Sequence, residues 1–217
     1  MSSPFDQDRF LATPLIGILR RTDEWDYAGL VDALIAAGLG TVEISFTHPA
    51  APRQLAGLIA AARGRLNVGA GTVTTLDRLA AARAAGASFV VTPALDPEVA
   101  AAVTAARLPF FPGAYTPTEI LTAHRLGATM VKLFPAVSAG PAFLTQVKAA
   151  VPEVGLLPTG GIARDRIGEW RRAGADGLGL GGSLFPDEPF RTGDWATLAA
   201  HVRPFVSAWH AAAPTAR

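Results

Sequence analysis

GTVEISF, residues 40–46, alternates polar and apolar side chains along its length. Because strand residues point alternately to the two faces of a sheet, the apolar residues share one face, and Thr41, Glu43 and Ser45 share the other. The apolar face is suited to packing under helices, whereas the polar face would line the interior of a closed barrel. The stretch therefore predicts a strand that carries a carboxylate into the interior of the fold.

Seven further stretches have the composition of short strands, and Ala- and Leu-rich segments of helical composition separate them. These stretches are PLIGILR (14–20), LNVGAG (66–71), SFVVTP (88–93), LPFFPG (108–113), TMVKLFP (129–135), VGLLPTG (154–160) and DGLGLGG (176–182). Eight strand–helix units predict an α/β chain that forms a single (β/α)8 TIM barrel domain over residues 1–217, with a short N-terminal extension and a C-terminal helical segment. The alternative is an open doubly wound sheet, but no GxGxxG motif follows the first strand. Residues 194–214 predict a helix that is broken at Pro204.

Composition and charge exclude several classes of protein. The chain is 50% hydrophobic and 17% charged with a net charge of +1, which is typical of a globular domain and not of a nucleic-acid or membrane binder. It has no cysteine, and its four histidines, among them His201, lack metal-ligand spacing, so we expect no disulfide and no metal site. The sequence shows no signal-peptide pattern and no apolar segment long enough to span a membrane, which predicts a cytoplasmic protein.

A lysine interrupts the apolar run TMVKLFP at position 132. The chain has 19 basic side chains, of which only Lys132 and Lys148 are lysines. Lysine is rarely buried without a partner, because removing water from an ammonium group is costly. Lys132 therefore needs an explanation, whereas Lys148, within a helical segment, is predicted to be a solvated surface residue.

Four polar residues near the ends of predicted strands are expected to meet in the upper interior of the barrel: Arg20, Glu43, Thr72 and Lys132. Side-chain parity places them there, and Thr72 is assigned to the face of Val68 and Ala70. One interpretation is a buried ion pair that supports the fold. The other is catalytic. A lysine in an apolar interior has a lowered pKa, so its free amine can attack a carbonyl to form a Schiff base, and a glutamate can transfer protons.

Two glycine-rich stretches, LPTGG (157–161) and LGGS (180–183), follow the last two predicted strands. Loops at these positions of a barrel often bind phosphate through backbone N–H groups. Glycine lets the backbone approach the phosphate closely. A single Gly-Gly pair can also form a tight turn, but two such stretches at the two expected strand ends predict a phosphate site, to which the hydroxyl of Ser183 could add a donor.

The order and spacing of several motifs resemble those of the 2-keto-3-deoxy-6-phosphogluconate and 2-keto-3-deoxy-6-phosphogalactonate aldolases. The resemblance extends from about Pro14 to Phe185. The motifs are ILR (18–20), TVEIS (41–45), VGAGTV (68–73), VTP (91–93), FPGAYTPTE (111–119), VKLFP (131–135), PTGGI (158–162) and LGGSLF (180–185).

The resemblance implies a class I aldolase of the Entner–Doudoroff type pathways, which cleaves a phosphorylated keto-deoxy sugar acid to pyruvate and glyceraldehyde 3-phosphate. It implies that Lys132 forms the Schiff base and that Glu43 is the general acid/base. The implied substrate and phosphate contacts are Arg20, Thr47, Thr72, Phe134, Thr159, Gly160, Gly161, Gly182 and Ser183. No metal or cofactor is implied, the expected partner is the small-molecule substrate, and family members usually form homotrimers.

One position departs from the phosphogluconate pattern, because Thr47 stands where those enzymes typically carry an arginine four residues after the catalytic glutamate. SAGPAFL (138–144) is closer to the phosphogalactonate pattern, whereas Thr159 resembles the phosphogluconate type. Together these residues predict the galactonate epimer or dual specificity. Two alternatives stay open: a phosphosugar isomerase or epimerase, in which Lys132 is a point charge, and a non-catalytic phosphosugar-binding barrel.

Overall fold

Helices and strands alternate along residues 4–212, the part of the chain that the computed structural model describes. The α-helices are α1 (Gln7–Ala12), α2 (Tyr27–Ala37), α3 (Ala51–Ala62), α4 (Leu76–Ala84), α5 (Pro97–Ala105), α6 (Pro117–Arg125), α7 (Ala136–Ala150), α8 (Ile167–Arg172), α9 (Asp187–Thr192) and α10 (Trp195–Ala211). The strands are β1 (Leu15–Leu19), β2 (Thr41–Ser45), β3 (Asn67–Gly71), β4 (Val90–Val91), β5 (Phe110–Phe111), β6 (Gly113–Ala114), β7 (Lys132–Leu133) and β8 (Leu178–Leu180). These strands pair in parallel, which confirms the α/β class.

The strands form a six-stranded sheet in the order β5-β4-β3-β2-β1-β8 and a two-stranded sheet of β6 and β7. The predicted strand at 154–160 is not regular, since it makes only single parallel bridges, from Leu156 to Val131 and from Thr159 to Gly179. Proline explains the irregularity because it lacks a backbone N–H. One proline separates β5 from β6, and another lies between the two bridges. The structure thus has a parallel sheet that forms part of a barrel, instead of the eight regular strands predicted.

Two apolar clusters lie on opposite sides of the sheet. The larger one lies between strands and helices and includes Val42 and Ile44, as the alternation of residues 40–46 predicts. The smaller one fills the inner side and consists of Phe10, Ile16, Phe89, Val91, Phe111 and Leu157. The ring of Phe10, on α1, lies 5.4 Å from the ring of Phe111. The predicted N-terminal extension is therefore a helix that packs against the inner cluster.

The predicted alternation along the third strand, which would point Val68 and Ala70 into the interior, is wrong. Val68 and Ala70 belong to the helix-side cluster. The inner side of β3 instead carries Gly71, where an added Cβ would collide with the carboxylate of Glu43. Thr72 nevertheless lines the interior, because its backbone leaves the extended conformation with a φ of 59°. A left-handed residue thus brings inward a hydroxyl group that strand alternation would place outside.

Helix α10 is continuous from Trp195 to Ala211, so the predicted break at Pro204 is wrong. Its buried residues lie on both sides of the proline, and they are Leu198, Ala199, Val202, Phe205, Val206 and Trp209. Their packing stabilises both halves of the helix, which offsets the backbone hydrogen bond that proline cannot make.

Lys148 is buried, which corrects the surface position predicted for it. Its side chain is 6% exposed, and its Nζ atom lies 2.8 Å from the carboxylate of Asp176. The same ammonium group donates to the carbonyl oxygen of Val154 at 2.8 Å. These partners come from later segments of the chain, so the composition of the helix does not reveal them. Lys148 is thus a paired, structural lysine.

Candidate active site

A cavity of about 610 Å³ opens at the carboxyl ends of the strands. Most of the predicted site residues line it, and these are Arg20, Thr72, Lys132, Phe134, Thr159, Gly160, Gly161, Gly182 and Ser183. Glu43 and Thr47 are not part of the lining: Glu43 is buried, whereas Thr47 is exposed. The structure therefore brings together residues that follow β1, β3 and β8 with those on and after β7.

Lys132 lies on β7 and is 5% exposed. Among the described residues, no hydrogen bond or ion pair involves its Nζ atom, which lies 5.1 Å from the centre of the Phe134 ring. Burial lowers the pKa of Lys132 below its ordinary value of 10.5; the charge of Glu43 opposes this shift, and that of Arg20 adds to it. A lowered pKa makes the neutral, nucleophilic amine more available near neutral pH.

Glu43 lies on β2 and is 1% exposed. Neither of its carboxylate oxygens has a hydrogen-bond partner in the part of the chain that the structure describes. Burial raises the pKa of Glu43 above its ordinary value of 4.5, and the charges of Lys132 and Arg20 oppose this shift. The glycine at position 71 gives the carboxyl group its space. Glu43 is therefore a buried acid with unused hydrogen-bonding capacity.

No stabilising ion pair joins these two residues. Within residues 4–212, neither Lys132 nor Glu43 belongs to an ion pair with an N–O distance of 4.0 Å or less. A buried pair contributes to a fold only when it is close and fully hydrogen-bonded. Two buried ionisable groups without such partners cost stability, and groups of this kind concentrate at functional sites. The geometry thus favours the chemical interpretation over the structural one.

Three hydroxyl groups form a chain of contacts at the ends of β2 and β3. Ser45 Oγ lies 2.9 Å from Thr72 Oγ1 and 3.4 Å from Thr47 Oγ1. The guanidinium of Arg78 donates to the carbonyl oxygen of Thr72 at 3.2 Å. These contacts hold Thr72 in its left-handed conformation. Ser45 was not among the predicted site residues, although its place two residues after Glu43 puts it on the same face of β2.

The two glycine loops meet at Ser183, whose hydroxyl donates to the carbonyl oxygen of Ile162 at 2.9 Å. Gly160 and Gly161 have φ angles of 98° and 75°, which favour glycine. Among the described residues, the backbone N–H groups of Gly161, Gly182 and Ser183 have no acceptor. Unpaired backbone donors in adjoining loops suit an anion. Because the hydroxyl of Ser183 already donates within the protein, the backbone supplies the donors here.

Some residues of the cavity were missed from the sequence, and they are Ile18, Pro93, Ile162, Ala163, Gly179 and Gly181. They carry no chemically active side chain, so only their places within or beside predicted strand ends mark them. Pro93 and Phe134 also line a second recess of about 350 Å³, which extends toward Tyr115 and Glu119. Glu119 is already used there, because its carboxylate caps the start of α6.

Residues 4–212 contain no group of three or more His, Asp or Glu side chains that could hold a metal ion. Over the same residues, no helix has the length and apolar composition of a membrane span.

Comparison with known proteins gives consistent matches. The family model for KDPG and KHG aldolases matches residues 7–201. The chain is 37% identical over 190 residues to the 2-dehydro-3-deoxy-phosphogluconate aldolase of Pseudomonas aeruginosa. This match covers 84% of this chain and 82% of that protein. It is 32% identical over 173 residues to the 2-dehydro-3-deoxy-6-phosphogalactonate aldolase of Escherichia coli, covering 79% of this chain and 84% of that protein.

A solved structure of KDPG aldolase from Legionella pneumophila holds pyruvate captured at low pH as a covalent carbinolamine intermediate. It has a TM-score of 0.82 and 28% identity to this chain, and the match covers 90% of this chain and 95% of that one. The family match spans most of the chain, and most of the predicted site residues line one cavity. The chain belongs to the KDPG and KHG aldolase family, whose named relatives are lyases.

Proposed function

We propose that this protein cleaves 2-keto-3-deoxy-6-phosphogalactonate, or its gluconate epimer, to pyruvate and glyceraldehyde 3-phosphate through a Schiff base on Lys132. The observation that carries the proposal is the pair of buried, unpaired groups, Lys132 and Glu43, at a cavity with free backbone donors. The covalent carbinolamine captured in the Legionella pneumophila enzyme supports a covalent route in this family.

The reaction begins at the neutral amine of Lys132. It attacks the ketone at carbon 2 to form a carbinolamine, and loss of water gives a protonated Schiff base. Glu43, through a water molecule, accepts the proton from the hydroxyl on carbon 4. The bond between carbons 3 and 4 breaks, and its electron pair moves to the Schiff base, which becomes an enamine. Glyceraldehyde 3-phosphate leaves, and protonation of carbon 3 followed by hydrolysis releases pyruvate and the free lysine.

The two ends of the substrate have separate anchors. We assign the phosphate to the backbone N–H groups of Gly161, Gly182 and Ser183, and the carboxylate to Thr72 and the hydroxyl chain behind it. Anchors at both ends hold the scissile bond near the amine and the carboxyl group, and such positioning contributes to the rate.

Two threonines, Thr47 and Thr159, support a proposal about which epimer of the substrate the protein cleaves. Thr47 replaces the arginine of the phosphogluconate pattern and lies outside the cavity lining. Thr159 lines the cavity, but its hydroxyl donates to the carbonyl oxygen of Leu157 at 3.2 Å. A hydroxyl group with this internal acceptor is less available to select the configuration at carbon 4. We therefore favour the galactonate epimer or dual specificity, and relatives of both names match the chain.

We also propose that the two sheets belong to one closed (β/α)8 barrel in a single domain. The bridges at Leu156 and Thr159 support this, because they connect the β7 strand region to β8. A homotrimer and a cytoplasmic location stay predictions from the resemblance and the sequence.

Borohydride trapping tests the proposal. The protein is incubated with pyruvate, reduced, and digested for peptide mass spectrometry. We expect a reduced pyruvate adduct on Lys132 and none on Lys148, because Lys148 is paired with Asp176. A folded protein without an adduct on Lys132 would make this lysine a point charge and favour an isomerase, an epimerase or a binding barrel.

Thr72→Gly is expected to separate stability from binding. The left-handed conformation of a β-branched residue costs about 1–3 kcal/mol, and glycine relieves it at an entropic cost of about 0.5–1 kcal/mol. We therefore expect the free energy of unfolding of Thr72→Gly to exceed that of Thr72→Ala by about 1 kcal/mol, because both variants lose the hydroxyl and its contact with Ser45 and only glycine relieves the strained φ. KM for the sugar acid should increase in both variants. Urea unfolding and steady-state kinetics measure both. Thr72→Ala is the matched control, because it lacks the hydroxyl and keeps the strained φ.

A further inference from the structure

We propose that His201, on α10, is a positioning residue that holds the Ser183 loop in the geometry that binds phosphate, and so sets the preference for phosphorylated over unphosphorylated substrates. The inference rests on the proposed function, because it takes the Ser183 loop as part of the phosphate site. His201 does not line the cavity. Any effect on the substrate must therefore pass through the loop.

The contact between His201 and the loop is a single hydrogen bond. Nε2 of His201 lies 2.9 Å from the carbonyl oxygen of Ser183. A carbonyl oxygen only accepts, so Nε2 carries the hydrogen atom. The ring also packs beside Phe205, with 5.4 Å between ring centroids, which limits its rotation.

Ser183 is the residue through which this contact reaches the cavity. Its hydroxyl donates to Ile162 in the other glycine loop, and its carbonyl oxygen accepts from His201. The loop's own turn is closed by Leu184, whose N–H donates to the carbonyl oxygen of Gly181 at 2.9 Å. Ser183 therefore joins α10 to both loops that offer free N–H groups.

Loss of the histidine removes one of these restraints. The carbonyl of Ser183 would lose its partner, and the peptide unit that it shares with Leu184 would then be held by the hydrogen bond from Leu184 to Gly181 without the second restraint from α10. Backbone donors recognise an anion only when they are held in place, within about 0.5 Å of the productive geometry. The N–H groups of Gly182 and Ser183 would then bind phosphate less well, whereas Lys132 and Glu43, on other strands, would keep their positions.

The experiment compares two substrates in four proteins: wild type, His201→Ala, His201→Gln and His210→Ala. The substrates are the 6-phosphorylated keto-deoxy sugar acid and its unphosphorylated counterpart. For His201→Ala we expect kcat/KM to fall about three- to tenfold with the phosphorylated substrate, the size of one hydrogen bond, and to stay within about twofold with the other. Most of this fall in kcat/KM should come from an increase in KM.

Two variants serve as controls. The amide of His201→Gln can donate to the same carbonyl, so this variant should restore the preference for the phosphorylated substrate. His210 lies on the same helix, and its Nε2 atom is 3.1 Å from Thr13 Oγ1. Its replacement by alanine disturbs α10 away from the loop and should leave the ratio of the two kcat/KM values unchanged.

The outcomes separate positioning from a purely structural role. Equal losses with both substrates, no loss with either, or no rescue by His201→Gln would each overturn the proposal. Calorimetric titration with inorganic phosphate supplies a readout that needs no chemistry: binding should weaken in His201→Ala and recover in His201→Gln. If wild type forms no pyruvate adduct, the proposed reaction fails, and the phosphate titration still decides the role of His201.

Discussion

Lys132→Met is expected to lower turnover by about 10⁴-fold or more while the free energy of unfolding at neutral pH increases. The loss is large because the substitution removes the proposed covalent nucleophile, and no other lysine lies in the cavity lining. The gain in stability arises because a methionine side chain has no desolvation cost, whereas Lys132 is buried and its ammonium group has no hydrogen-bond or ion-pair partner within residues 4–212. Steady-state kinetics and urea unfolding measure both effects in one preparation.

The stability effect of Lys132 has a defined dependence on pH. The pKa of Lys132 in the folded protein lies below its ordinary value of 10.5, which applies in the unfolded chain. At a pH between the folded-state pKa and 10.5, the unfolded chain therefore holds more protons than the folded protein. The stability of wild type should therefore rise with pH in this window, and Lys132→Met should remove the contribution. Unfolding curves at a series of pH values test this directly.

Lys148→Met is the matched control, because it makes the same substitution at the other buried lysine. Lys148 is paired with Asp176, so its loss should reduce the free energy of unfolding by roughly 1–3 kcal/mol and leave the adduct on Lys132 intact. Lys132→Arg keeps a positive charge without a nucleophilic amine and should be as inactive as Lys132→Met. Near wild-type turnover in Lys132→Arg would rule out the Schiff base.

Glu43→Gln is expected to lower kcat by about 10²–10⁴-fold, the usual contribution of a general acid/base. The amide has nearly the shape of the carboxyl group and fits the space beside Gly71, so the fold should persist. It cannot accept the proton from the hydroxyl on carbon 4. Formation of the pyruvate adduct should be less affected than cleavage, which single-turnover measurements with the full substrate distinguish. An undiminished kcat would assign the proton transfer to another group.

Stability supplies a second readout for Glu43. Its folded-state pKa is raised above 4.5, so between pH 4.5 and that higher value the folded protein holds more protons than the unfolded chain. Wild-type stability should fall as pH rises through this window, and Glu43→Gln should lose this dependence. Glu98→Gln, the same change at an exposed position on α5, should leave kcat unchanged.

The sequence predicted the parts of the site that depend on local pattern. Alternation along residues 40–46 placed Glu43 on the inner face, and the lysine in an apolar run marked a residue that is buried in the structure. The glycine stretches predicted the two loops of the cavity. These predictions succeeded because each rests on residues that are adjacent in the chain.

The errors concern contacts between distant segments or departures from regular backbone. Lys148 was misplaced because Asp176 comes from a later strand region. The parity at Thr72 failed because its left-handed φ breaks the alternation. The helix at Pro204 continues because packing on both sides outweighs the local effect of proline. The role proposed for His201 also depends on a contact 18 residues away along the chain, which no local pattern encodes.

The packing of Phe10 on the inner cluster has a consequence for synthesis on the ribosome. Phe10 belongs to the buried cluster that also contains Phe111 and Leu157, and Leu157 lies 147 residues after it. At about 5–20 residues per second, roughly 7–30 s pass before that last partner is made. Helix α1 is therefore synthesised well before the inner cluster is complete, and during that interval Phe10 is open to chaperones and to other nascent chains.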